Sequence, residues 1–365
     1  MTLEQKHQKL GINERAQVKE RLKLQGIKWI DFNYYKFGIG SLSWIPFLFR
    51  LFFISITKRI SYIHGWCTPA GSIAYIISVL TGKTLVIDSY EPHAEVMLET
   101  KTWTAKSLQF RILFLFEKLQ GKRAKSLICC VNEMKNYVQE KFHFKISNVI
   151  AKPACVDLQK FSRRNRKNQY LLKKLGLENK IVCVYAGKFG GLYLEQEVFD
   201  FLKVAYDHWK ENFRVLLLTG TADSQIKNWC IKAGLPEHVV KKTFCFHEQV
   251  PDFMGLGDFA MSPYNPVPSR RYSAPIKNAE YWALGLPVVI TRNIANDSDI
   301  IATNQIGAVI EELNETEYKK CVVKIDELLQ HNTLDELYNK IRKIAEEQRN
   351  FKVALKVYKE VYAGL

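Results

Sequence analysis

The chain of 365 residues has eight cysteines and no Cys-x-x-Cys pair, and Cys129 and Cys130 are simply adjacent in an apolar run. That usage fits reduced, mostly buried thiols and a cytosolic compartment. Gly/Ser-rich, Pro-rich and repeated segments are lacking, and with 47% hydrophobic and 25% charged residues the chain is expected to fold. No apolar run suits a bilayer crossing, which takes about 20 residues. The nearest, 41–57 (SLSWIPFLFRLFFISIT), has Arg50 in its middle and Pro46 near its start. A central Arg costs about 2.5–3.5 kcal/mol on insertion scales, so the run reads as a buried or membrane-surface helix. The N-terminus lacks a charged region followed directly by an apolar core, so no signal peptide is expected. Acidic residues are scarce in the first half. Residues 1–165 hold 26 Lys+Arg against 12 Asp+Glu, the remainder 27 against 25. This asymmetry points to an anionic surface facing the first domain, with phospholipid and nucleic acid as the two candidates.

What is present alternates strands with helices, the signature of parallel sheets. In the first half, strands are expected at 27–34, 60–64, 84–88, 126–131 and 148–151. Helices are expected near 13–25, 41–57, 69–80, 105–123 and 132–142, the last with Asn132 as its cap. In the helix near 105–123, Leu108, Phe110, Leu113, Phe114 and Phe116 are apolar and Arg111, Lys118, Lys122 and Arg123 basic, a composition of interfacial helices and equally of a core helix with a solvated face. A polar, Lys-rich connection covers 152–180. Strands then follow at 181–186, 214–218, 241–246, 258–262, 287–290 and 307–310, with helices near 194–210, 223–233, 249–255, 274–284, 314–330, 334–348 and 351–362. Two doubly wound, Rossmann-like α/β domains facing a cleft are the economical reading. We divide the chain into 1–165, 166–350 and a closing helix over 351–365 that packs back toward the first domain. Residues 1–26 read as one polar helix.

The most specific run is 273–289, SAPIKNAEYWALGLPVV. Pro275 suits a helix start, Lys277, Glu280 and Leu284 follow at helical spacing, and Gly285 and Pro287 end the helix before a short buried strand. A helix N-terminus offers N–H groups to an anion, and Glu280, one turn in, can accept from a diol. Strand IVCVYA runs into Gly187-Lys188-Phe189-Gly190-Gly191, where backbone N–H groups can approach a ligand and Lys188 adds a cation. The segment 244–264 carries His247 and Asp258. After strand TLVID come Asp88, Glu91, His93 and Glu95, a loop dense in ionisable groups. Asp297-Ser298-Asp299 is read as a cap of a short helix.

These motifs resemble the donor site of glycosyltransferase family 4, the retaining GT-B enzymes, and a bacterial polysaccharide-synthesis branch in particular. The resemblance implies that Gly187, Lys188, Gly190, Gly191, His247, Arg271, Ser273, Pro275, Lys277 and Glu280 bind a UDP- or GDP-sugar, and that His93, with Glu91 and Asp88, serves catalysis. It implies a retaining hexosyltransferase, metal-independent, acting on a lipid-linked saccharide or glycolipid in capsule, exopolysaccharide or O-antigen synthesis. Its partners are the nucleotide-sugar, that acceptor and an anionic membrane reached through the basic first domain, with no nucleic acid; its place is the cytoplasm, peripheral at the inner face of the plasma membrane. Three departures from the family pattern stand out. Tyr272 occupies the position eight residues before Glu280 where a second Glu is usual. Leu194 stands where many members have a second Lys, leaving Arg270 and Arg271 as substitutes. The opening strand–helix–strand unit is expected to be missing from the first domain. An inactive GT-B scaffold and a basic nucleic-acid-binding protein are the alternatives.

Overall fold

The computed structural model describes residues 2–4, 10–33 and 44–364. It divides into two units, Met1–Ile63 with Ile76–Lys83, and His64–Tyr75 with Thr84–Leu365. In the first unit, β1 (Thr2–Glu4) pairs in parallel with β2 (Asp31–Asn33), and α1 (Ile12–Leu24) joins them. Residues 1–26 are therefore not one helix, and a short strand–helix–strand unit stands where none was expected. Three-residue strands leave no periodicity to read, which is why β1 was missed. Of the expected strand 27–34, Tyr34 lies outside the described residues, as do residues 41–43 of the expected helix 41–57. That helix, α2 (Trp44–Thr57), buries Leu51 and Ser55 and exposes Ile45, Phe49, Phe53 and Ile56. Among the described residues, no helix is long and apolar enough to cross a membrane.

Next come β3 (Tyr62–Trp66), α3 (Thr68–Thr81), β4 (Thr84–Asp88), α4 (His93–Glu99), α5 (Leu108–Arg123), β5 (Ser126–Cys129), α6 (Met134–Phe142) and β6 (Val149–Ala151). The sheet order is β3–β4–β5–β6, with β4, β5 and β6 parallel. The apolar runs of β4 and β5 are buried on both faces, as parallel strands between helices must be. Helix α5 buries Leu113, Glu117, Gln120 and Gly121 and exposes Leu108 and Leu115. Gly71 of α3 packs so closely on it that a Cβ would lie 2.2 Å from Gln120 Oε1. Helix α6 starts at Met134, with Glu133 at the cap, so Asn132 is not its cap.

The connection 152–180 is partly structured, with α7 (Gln169–Leu175) inside it. Arg166 is buried and donates to the carbonyls of Gly255 and Gly257, and Lys167 pairs with Asp258 at 2.7 Å. Those carbonyl and carboxylate partners, rather than an apolar pattern, hold this segment, so periodicity did not reveal it.

The second sheet follows from β7 (Ile181–Ala186), α8 (Gln196–Trp209), β8 (Phe213–Leu218), α9 (Asp223–Ala233), β9 (Val240–Thr243), α10 (Val250–Met254), β10 (Phe259–Ser262), α11 (Ile276–Ala283), β11 (Val288–Thr291), α12 (Asp297–Asn304), β12 (Gly307–Ile310) and α13 (Glu315–Gln330). Its order is β12–β11–β10–β7–β8–β9, every pairing parallel. The order reverses at β7, the topological switch point at which such sheets bind ligands beyond their carboxyl ends. Helices α14 (Leu334–Gln348) and α15 (Phe351–Ala363) close the chain. Val357 and Val361 of α15 pack on Val86 and Ile128 of the first sheet, and Tyr358 Oη donates to Asp88 at 2.5 Å.

Candidate functional site

The site is built outward from the switch point. After β7, Gly187 N–H donates to the carbonyl of Leu218 at 3.1 Å, turning the chain over the sheet edge. Gly190 and Gly191 have φ of +80° and +66°, and a Cβ on Gly190 would lie 2.6 Å from Glu195 Oε1. The loop therefore needs glycine there. Tyr185 Oη donates to the Lys188 carbonyl at 2.5 Å, fixing the backbone while the Lys188 side chain stays exposed. Leu194 is buried in the core beside β7, so it offers nothing to a ligand.

The ends of β7, β8 and β9 surround a cavity of about 230 Å³, lined by Gly187, Thr219, Gly220, Phe244, Cys245 and, from α11, Lys277 among others. Gly187 of the glycine loop and Lys277 of the 273–289 run thus line one cavity, whereas Lys188, Gly190, Gly191, Ser273 and Glu280 are not among its lining residues. Ala186 N–H donates to Tyr281 Oη at 3.0 Å, which ties α11 to the end of β7. His247 is exposed and is not among the lining residues; Phe244 and Cys245, three and two positions earlier, are. Phe244 is 74% exposed and edge-on to Phe246. A solvent-facing Phe pair thus stands just past the end of β9.

Pro275 caps α11, one position before its first turn, and no side chain caps the helix. Its first N–H groups therefore keep the anion-binding capacity of a helix start. Lys277 Nζ lies 2.7 Å from Glu280 Oε2, and Glu280 is buried. Arg271 is exposed, whereas Arg270 is buried and donates to Ser269 Oγ. Burial pulls the Arg270 guanidinium below the usual arginine value, and Glu91 and Glu99 oppose that pull. Gly285, at φ +66°, ends the helix where a Cβ would lie 2.5 Å from Tyr338 Cα.

Across from this segment lies the loop after β4. Glu91 links the two sides: its carboxylate meets His93 Nδ1 at 3.2 Å and accepts from Ser273 Oγ at 3.4 Å. Glu99 of α4 accepts from Ser269 N–H at 3.0 Å and from Ser269 Oγ. His93 opens α4, where the sequence pattern suggests a loop. The fully buried Glu117 accepts from Ala94 N–H at 2.8 Å and so receives the start of α4. Burial pushes the Glu117 carboxyl well above the usual carboxylate value.

Asp88 does not join this group. It is fully buried and meets Lys152 at 3.3 Å, Tyr358 and Ser89. Burial raises its pKa, but His64, Tyr358 and Lys152 outweigh that and hold it below the ordinary aspartate value. His64 lies beside Asp88, its Nε2 3.7 Å from the carboxylate and its Nδ1 bonded to Tyr362 Oη at 2.5 Å. Tyr272 packs its ring on Tyr137, centroids 5.3 Å apart. In the Asp297-Ser298-Asp299 run, Asp297 caps nothing: it is buried against Arg349 and accepts from Asn278 at 2.6 Å. Asn296 stands at the cap instead. Among the described residues, no group of three or more His, Cys, Asp or Glu is arranged to hold a metal ion.

Two parallel, Rossmann-like sheets with this site at the second sheet's switch point are the GT-B glycosyltransferase fold. Residues 265–358, a range that takes in Ser269 to Glu280, match the family described as glucosyltransferase 3-like, C-terminal domain. The chain is similar in structure to HepE of Anabaena in complex with UDP: TM-score 0.71, 13% identity, covering 94% of this chain and 89% of that one. A sucrose-phosphate synthase of Thermosynechococcus elongatus gives 0.67 at 14% identity over 91% and 82%. WaaG, a glycosyltransferase involved in lipopolysaccharide biosynthesis, gives 0.62 at 14% over 90% and 97%. No curated protein matches the chain in sequence.

Proposed function

We propose that this protein is a retaining glycosyltransferase that moves a hexose from a UDP-sugar to a lipid-linked saccharide or glycolipid. One observation carries the reading: Gly187 and Lys277 line a single cavity at the switch point, beside a helix start with no side-chain cap. The resemblance to family 4 and the binding of UDP and UDP-glucose by HepE support it. In this reading the base enters between Gly187 and Phe244, Glu280 exchanges Lys277 for the ribose diol, and Lys277, Lys188 and the α11 N–H groups take the diphosphate. His93, oriented by Glu91, faces the sugar. Catalysis rests on positioning and on charge stabilisation at the leaving β-phosphate, without a metal. Asp88 acts at a distance, anchoring α15. The acceptor is met at a membrane, for which the excess of cations in residues 1–165 and the exposed apolar side of α2 speak. The cell compartment is then the cytoplasm, at the inner face of the plasma membrane.

Calorimetric titration with UDP, UDP-glucose and GDP, followed by assay of donor hydrolysis, tests this. Micromolar binding of a uridine nucleotide with slow hydrolysis is expected. Absence of nucleotide binding at millimolar concentration would sink the proposal. Tyr272, packed on Tyr137 in the position of a family Glu, favours one second reading, an inactive scaffold; binding without any turnover of donor would select it.

A further inference from the structure

The first unit contains a cavity of about 740 Å³ that the donor site does not use. Its cations come from two helices, the turn after the second and the segment joining α1 to β2. Lys19 and Lys23 stand four apart on α1, Arg50 lies on α2 and Lys58 in the turn just past its end, and Lys28 reaches in from that segment. Among the described residues, no carboxylate lines the cavity, and Lys19, Lys23, Lys28 and Lys58 make no ion pair. The four lysines around one concavity repel one another, and their summed field favours an anion that enters. A phosphate or diphosphate is the anion such a set holds best. The remaining walls are apolar: Ile27, Trp29, Ile30 and Ile54 share the same space. A free phosphate or a nucleic-acid backbone would leave those side chains without use.

We propose that this cavity binds a phosphate or diphosphate group carried on an apolar chain, the head of a polyprenyl-type lipid. For its role as the acceptor's anchor it rests on the glycosyl-transfer reading; the binding itself does not.

The test is titration of the full chain with farnesyl diphosphate and with inorganic diphosphate, both in excess UDP so that the donor site is occupied. Farnesyl diphosphate is expected to bind at least tenfold more tightly than inorganic diphosphate. Lys23→Ala with Lys58→Ala should weaken farnesyl diphosphate at least tenfold and leave melting temperature and UDP affinity unchanged. Ile54→Ser should weaken farnesyl diphosphate while inorganic diphosphate stays the same. Lys277→Ala should alter neither lipid titration. Equal affinity for the two diphosphates, full affinity in the double lysine variant, or loss in Lys277→Ala would each overturn the assignment. Failure of UDP to bind would bear on the donor reading alone, since farnesyl diphosphate has its own readout.

Discussion

Glu280 is buried with one cation for company, and that pairing makes its role separable from that of Lys277. Glu280→Gln is expected to weaken UDP about tenfold to a hundredfold, since a hydrogen bond to a charged group contributes about 1.5–3 kcal/mol. It should also erase any preference of the protein for UDP over 2′-deoxy-UDP. Lys277→Ala should weaken UDP while leaving uridine untouched. Calorimetry with the three ligands checks both. Glu117 carries a prediction about pH. Its folded-state pKa is raised, so the folded protein holds a proton that the unfolded chain releases. That carboxyl favours folding fully below about pH 4.5 and progressively less as pH rises above it. Glu117→Gln keeps an acceptor for Ala94 N–H and cannot ionise. Its melting temperature relative to the native protein should therefore climb between pH 5 and pH 8; a constant offset would show that the carboxyl does not titrate there.

At the scale of elements, Gly285 and Tyr358 are the points at which one residue decides a packing. Gly285→Ala places a methyl against the backbone of α14 and strains a positive φ, at a cost of about 2–4 kcal/mol; a chemical denaturation midpoint unchanged by it would contradict the packing. Tyr358→Phe removes a charge-assisted bond to Asp88, about 1.5–3 kcal/mol, and should expose α15 to faster amide exchange before the rest of the second unit. Elements with strong chemical punctuation were legible in the sequence. IVCVYA at 181–186, α9 at 223–233 and β12 at 307–310 stand where their apolar runs and turn residues put them. Helices α4 and α7 were not legible. Seven residues give two turns, too few for a period, and what starts α4 is Glu117, over twenty residues further on.

At the scale of the molecule, the sequence singles out two short runs, 187–191 and 273–280, and the fold brings one residue of each, Gly187 and Lys277, to a common cavity. The facing side was only half legible. Glu91 and His93 were singled out, but so was Asp88, three residues earlier, and only the fold reveals that its carboxylate turns toward Tyr358 and Lys152. The charge excess of residues 1–165 supplies a further expectation. Sedimentation with vesicles containing anionic lipid should exceed that with neutral vesicles, and should fall as salt rises from 50 to 300 mM, because exposed charges are screened over about a Debye length.

The contact between Tyr358 and Asp88 joins residues 270 positions apart. On a ribosome adding roughly 5–20 residues per second, the interval between those two residues is roughly 15–50 s. Throughout it the flank of β4 and β5 that receives Val357 and Val361 has no cover, and its buried carboxylate lacks one of its donors. The first sheet is thus translated early and completed last. A nascent chain stalled before residue 351 should present Val86 and Ile128 to chaperones and proteases, and a bulky group placed close behind Val361 should impair the N-terminal sheet before it disturbs the C-terminal one.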